Sequence, residues 1–171
     1  MPSRNLGTSP NIKRCLEVGC GEGWISTRIK NIKKSILLYS CDISEKIIKV
    51  AMMNNMDINF FVASAYYLPF RDNSFNLIVA CEILEHLEYP HDAIKEMKRV
   101  SSSFCLFSVP IEPLWRILNI LRGAYLKHFG NTTGHIQHWT KKQFIKILKE
   151  EFKIFKKVSA CPWLIVLCKK Y

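Results

Sequence analysis

Apolar and polar positions along this chain follow two rhythms, and the switches between them mark its elements. Short apolar runs bounded by turn residues read as strands over 14–19, 35–42, 58–64, 75–82 and 104–110, the last stopped by Pro110. Between them apolar residues return every three or four positions, which predicts helices over 24–32, 44–55 and 91–100. Ser44 can cap the second of these, with Ile47, Ile48, Ala51 and Met52 at helical spacing. The third carries Ala93, Ile94, Met97 and Val100 on one face. Segment 113–129 is amphipathic, its polar side marked by Arg116, Asn119 and Arg122. A polar loop, GNTTGHIQHWT, leads to a helix over 141–152. KIFKKVSA and WLIVLCKK then read as closing strands joined near Pro162, an antiparallel pair. This alternation predicts an α/β domain on a mainly parallel sheet of seven strands.

Length and composition narrow the picture. A chain of 171 residues suits a single domain. No apolar run approaches the roughly 18 residues of a membrane span, and MPSRNLGTSP has no hydrophobic signal core. A cytoplasmic location is the expectation. The seven cysteines form no CxxC pair and no zinc spacing, and read as small buried thiols. Charge changes the picture more. Residues 1–112 carry 13 Lys/Arg against 12 Asp/Glu, whereas 113–171 carry 12 against 2. A basic C-terminal part on a neutral body attracts nucleic acid, anionic lipid or an anionic small molecule, unless its lysines only solvate helix faces.

The candidate chemistry starts at LEVGCGEGW, residues 16–24. A strand, a glycine loop and a helix bring backbone amides close to a ligand. Gly19, Gly21 and Gly23 do not fit a dinucleotide fingerprint, which needs glycine where Trp24 stands. Glu17, inside the strand, would repel a diphosphate and suits a cationic amino-acid portion. Asp42 ends the second strand, where a carboxylate accepts two hydrogen bonds from a ribose diol, or else serves the following helix N-terminus.

E-x-G-x-G-x-G, the acidic end of the second strand and LPFRDNSFNLIVACEILEHL (68–87) together resemble the class I S-adenosylmethionine-dependent methyltransferases. The small-molecule group, with LPF-DxSFD text, is the nearest in pattern. The resemblance covers residues 14–110 and continues weakly through GHIQHWTKKQF. It implies a doubly wound, Rossmann-like, seven-stranded sheet, mostly parallel with the last strand antiparallel. It implies one domain over 1–171, with a cofactor core over 14–110, a substrate-covering insert over 111–139 and a closing helix and strand pair over 140–171. Its cofactor is S-adenosylmethionine, with S-adenosylhomocysteine as product. By the same resemblance Glu17, Gly19, Cys20 and Gly21 border the methionine half, and Asp42 takes the ribose. Ile43 lies against adenine, and Ser64, beside Ala65, stands where the family often has an Asp for the adenine amino group. Leu68 leans on the cofactor, while Cys81 and Glu82 line the reaction centre. Asn76 replaces the Asp of SFD. About 13 residues precede the first strand, so the resemblance implies an open cleft or a covering partner chain.

Methyl transfer is an in-line displacement that needs an oriented nucleophile and, for a hydroxyl, a base. His86, beyond the fourth strand, and His135 and His138 in the late loop are the catalytic candidates. No metal-ligand set is expected, since the H-x-x-H pair has no cysteine nearby. Leu114, Trp115, Ile117, Leu118, Leu121 and Tyr125 can wall an apolar acceptor or dock on a membrane surface, and Arg116, Arg122 and Lys127 add positive charge. The leading expectation is methylation of a small-molecule or lipid-like acceptor, with peripheral membrane contact open. Nucleic acid is less favoured, because no single-strand stacking platform stands out and CEIL replaces NPPY-type text. A non-catalytic methyltransferase-like subunit and an RNA or protein methyltransferase are the alternatives. A nucleotide oxidoreductase is disfavoured by Glu17 and Trp24.

Overall fold

The computed structural model describes residues 11–55, 57–123, 125, 128–129, 131–132 and 134–171. Seven strands form one sheet in the order β3-β2-β1-β4-β5-β7-β6. They are β1 (Arg14–Val18), β2 (Leu37–Asp42), β3 (Asn59–Val62), β4 (Phe75–Cys81), β5 (Ser101–Pro110), β6 (Lys153–Ala160) and β7 (Trp163–Lys169). β1 to β5 pair in parallel, and β7 runs antiparallel to both β5 and β6. Order turns back at β1 and β4, which opens a crevice at the carboxyl ends of the strands, the usual ligand position in such sheets.

Among the described residues five α-helices flank the sheet: α1 (Trp24–Ile32), α2 (Glu45–Asn54), α3 (Pro90–Val100), α4 (Leu114–Leu121) and α5 (Lys141–Glu151). The Ser44 hydroxyl caps α2 by accepting from the Ile47 amide. Thr140 and Gln143 close a capping box at the start of α5. α4 is shorter than the amphipathic pattern, because the chain turns at Arg122 and Gly123, whose φ of 72° suits glycine. Leu126 and Lys127 of that expected segment lie outside the described residues, as does the 1–10 stretch.

The core explains the LPFRDNSF text. Leu68 and Phe75 are buried, and Phe70 packs edge-on to Tyr39, Phe61 and Phe75. Arg99 of α3 ties this turn down, donating to the carbonyls of Phe70 (2.8 Å) and Leu68 (3.1 Å) and to Asp72 (2.8 Å). Glu96 accepts from the Leu68 amide at 2.7 Å and from Arg99. The Asn76 side-chain oxygen Oδ1 accepts from the amides of Lys13 and Arg14, at 3.0 and 3.1 Å, a role at the entry to β1 that the Asp of SFD would fill equally. Six of the cysteines are buried or half-buried, and Cys161 is exposed. Among the described residues no helix is long and apolar enough to cross a membrane.

The C-terminal charge gathers on one face. Lys141, Lys142, Lys146 and Lys149 of α5 and Lys157 of β6 surround a shallow groove of about 550 Å³ floored by Ile145. It shares no lining residue with the crevice described next.

Candidate active site

A cavity of about 510 Å³ opens at the carboxyl ends of β1, β2 and β4. Its floor is Val18 and Gly19, and one side is Asp42 with Ile43. Ala63, Ser64, Ala65 and Tyr66 follow β3, and Glu82, Ile83, His86 and Ile136 form the opposite wall.

The floor is glycine for steric reasons. Gly19 has φ 75°, and a Cβ there would lie 2.6 Å from Ile83 Cδ1. The amides of Gly19 and Cys20 both donate to the Cys41 carbonyl, at 2.8 and 2.9 Å, folding the loop against β2. Asp42 completes that fold. One carboxylate oxygen accepts from the Gly21 amide at 3.1 Å and the other from the Ser44 amide at 3.0 Å. Each oxygen keeps a lone pair, so the carboxylate is oriented and still able to accept from a diol. Ile43 is 74% exposed beside it, an apolar surface at the rim. Ser64 accepts from the Tyr66 amide at 3.3 Å.

The opposite wall is polar and strained. Glu82 follows β4 with φ 55°, a left-handed conformation that costs a non-glycine residue on the order of 1–3 kcal/mol. Its carboxylate accepts from Ser108 Oγ at 2.8 Å and from Trp163 Nε1 at 2.7 Å. Burial raises its pKa. Leu84–His86 form one 3-10 turn. Glu85 in that turn is fully buried, and no donor reaches either carboxylate oxygen. Burial, then the Glu82 charge, pushes the Glu85 carboxyl up to about 8. The late loop folds onto this turn: the amides of Ile136 and Gln137 both donate to the Glu85 carbonyl at 2.9 Å, and His86 Nδ1 lies 2.9 Å from the Gly134 carbonyl.

The expected site residues divide into two groups. Gly19, Asp42, Ile43, Ser64, Ala65, Glu82 and His86 line one cavity. Glu17 lies on the other face of β1, where its carboxylate accepts from Ser26 of α1 and, at 3.4 Å, from Ser40. Burial pushes it up to about 7, against the opposing hydrogen bonds of Ser26 and Ser40. The side chain of Cys20 packs with Ile48, Ala51 and Phe60. Cys81 packs beside Val79, and Leu68 lies in the core. Gly21 contributes its amide to Asp42. His135 does not line the cavity, but its ring meets His86 edge-on at 4.8 Å and stacks on Trp115 at 6.2 Å. Burial, then the His86 and His138 charges, lowers His135 to about 4. His138 is directed elsewhere, 3.7 Å from Glu112. Sequence reasoning did not single out Glu85, Ser108 or Trp163; only their places near the ends of β4, β5 and β7 hinted at them.

Residues 16–104 match the methyltransferase domain family, a little over half of the 171-residue chain. The demethylmenaquinone methyltransferase of Paenarthrobacter aurescens strain TC1 is 32% identical over 111 residues, which covers 62% of this chain and 43% of that protein. The chain spans less than half the length of each curated relative it matches. Among solved structures, the magnesium protoporphyrin IX methyltransferase of Synechocystis PCC 6803, with bound SAH, superposes with a TM-score of 0.72 at 19% identity, over 95% of this chain and 75% of that one. A chain from the complex of the Haloferax volcanii Trm112 methyltransferase activator with a methyltransferase superposes at 0.75 and 14% identity, over 92% and 82%. At those identities the superpositions speak for the fold alone.

Proposed function

This chain belongs to the methyltransferase domain family, and on that premise we propose that it is an S-adenosylmethionine-dependent enzyme methylating a small-molecule or lipid-like acceptor. The observation that carries the cofactor reading is Asp42, held by two amides at the tip of β2 with its remaining lone pairs at the cavity beside glycine-floored space. Those residues fit a nucleoside: Asp42 takes the ribose hydroxyls, Ile43 the adenine face, and the Ser64 hydroxyl the adenine amino group. Glu17 acts through the loop it underlies, its side chain held by Ser26 and Ser40 on the far side of β1. When bound, S-adenosylmethionine supplies a sulfonium-activated methyl group whose C–S bond breaks as a nucleophile attacks in line, leaving S-adenosylhomocysteine.

This chain's own residues then orient the acceptor. Glu82 and His86 stand on the acceptor side of the cavity, and Glu82 is locked by Ser108 and Trp163. Orientation of this kind is worth roughly 7–11 kcal/mol to a displacement. The lipid-like reading draws on α4, which leaves Ile117 48% and Leu121 76% exposed near the rings of Trp115 and His135. It also draws on the demethylmenaquinone methyltransferase likeness. The expected cytoplasmic location and a covering partner chain belong to the same proposal; the Trm112 activator complex is an instance of this fold with a partner chain. Calorimetry with S-adenosylhomocysteine tests the cofactor reading, and methyl transfer from labelled cofactor to quinone-like and phenolic acceptors tests the acceptor class. Absence of cofactor binding would favour a non-catalytic subunit.

A further inference from the structure

We infer that Glu85, His86 and His135 form a binding site for one divalent transition-metal ion, of the Mn2+ to Zn2+ kind, in the acceptor wall of the cavity. One potential ligand atom from each of the three residues lies within 4.8 Å of the other two. Tetrahedral ligands at about 2.1 Å from one ion lie about 3.4 Å apart, so side-chain adjustment on the order of 1 Å closes the set.

Three independent features point to an ion. First, Glu85 is fully buried with no conventional donor on either oxygen, and its neighbour is a second acid, Glu82, a pairing that calls for a shared proton or a cation. A buried carboxylate without a partner is costly, and a cation removes that cost. Second, the His86 tautomer is set by geometry. A carbonyl only accepts, so His86 Nδ1, 2.9 Å from the Gly134 oxygen, carries the proton and donates it. Nε2 is left with its lone pair, the arrangement by which an outer hydrogen bond orients a metal-binding imidazole. Gly134 holds φ 93°, a left-handed conformation that glycine takes without strain, and so presents its carbonyl to His86. Third, His135 is fixed by stacking on Trp115, whose indole nitrogen donates to Thr132 at 2.9 Å.

Two imidazoles and a carboxylate are a borderline donor set that suits Zn2+, Fe2+ or Mn2+ better than Ca2+. Glu82 lines the cavity on the same wall and adds negative charge. Of the three residues His86 lines the cavity, so an ion beside it would take an acceptor oxygen there and ease loss of its proton. In that arrangement His86 is a ligand rather than a base. This role rests on the methyl-transfer reading, whereas the ion site itself does not.

The test is metal uptake by chelator-treated full chain, read by calorimetry with Mn2+ and Zn2+ and by the Mn2+ electron-spin signal. One equivalent is expected. Glu85→Gln, which keeps the side-chain shape, and His135→Asn are each expected to weaken uptake by at least about tenfold. His91→Asn, on the α3 surface, is expected to leave it unchanged. Circular dichroism melts confirm that each variant is folded. No stoichiometric uptake at millimolar metal, with Glu85 sharing a proton with Glu82 instead, would overturn the site. So would uptake that persists in both folded variants. S-adenosylhomocysteine titrations on the same samples separate this outcome from failure of the cofactor reading.

Discussion

Replacing Asp42 with alanine is the sharpest perturbation of the cofactor reading. Its carboxylate already accepts from Gly21 and Ser44 at about 3 Å and can accept two more bonds, from the two ribose hydroxyls. A hydrogen bond to a charged group contributes about 1.5–3 kcal/mol. Two lost together amount to roughly 3–6 kcal/mol, or on the order of 100-fold to 10,000-fold in Kd. The lower end is the more realistic, because water refills an open cavity and the two bonds share one carboxylate. Alanine also leaves the Gly21 amide without its acceptor, which loosens the loop. Two controls isolate the ribose contacts. Asp42→Asn retains one acceptor and should lose less than alanine. A 2′-deoxy form of S-adenosylhomocysteine should bind the wild type less well but lose little further in Asp42→Ala, a coupling that a merely loosened loop would not produce. Calorimetry at constant ionic strength gives all four affinities. Equal affinity for S-adenosylhomocysteine in wild type and Asp42→Ala would refute the reasoning, and so would additive losses across the cycle.

Other consequences can be measured on the free protein. Glu17 titrates at about 7 in the fold against an ordinary 4.5. The native state therefore holds a proton that the unfolded chain releases in that window. Stability from this group is full below about pH 4.5 and is lost as pH rises through 7, up to about 3 kcal/mol. Urea melts at pH 5 and pH 8 should differ less in Glu17→Gln than in wild type. Gly19→Ala meets Ile83 at 2.6 Å and should destabilise by about 1–3 kcal/mol, partly recovered in Gly19→Ala/Ile83→Ala; equal melts for single and double variants would contradict the clash. Arg99→Ala frees the carbonyls of Leu68 and Phe70 and should cost about 1–3 kcal/mol in thermal melts. Leu121→Glu on exposed α4 should reduce co-sedimentation with quinone-containing vesicles while leaving the melting temperature unchanged.

Much of the fold was legible because its signals are local. The strands were found from apolar runs, the first three helices from their repeat, and the capping of α2 from Ser44 alone. β5 begins at Ser101, earlier than its apolar run, because Ser101 pairs with Phe75 and the polar serines read as a loop. The proposed cofactor side was placed for the same reason: Gly19 and Asp42 sit at strand ends that the pattern locates. Glu17 was legible as an acid inside the first strand, expected to serve a cationic amino-acid portion, but not as one turned toward Ser26, since which face of β1 each residue takes depends on where α1 packs. The wall proposed for the acceptor was largely hidden. Glu85 reads as an ordinary charge in ILEHL, and only the return of Gly134 to Gln137, some 50 residues on, seals it from water. Trp163 reaches Glu82 across 81 positions, a contact no periodicity encodes.

That last contact has a consequence for how the molecule comes into being. During synthesis the first four strands leave the ribosome well before β7, so the nucleoside half of the crevice can assemble early. The other half waits, because β7 must slot between β5 and β6 before the Trp163 indole can steady Glu82. On the proposed reading, a nascent chain would gain its grip on a nucleoside before it gained an ordered place to react, which couples completion of the reactive wall to the arrival of β7.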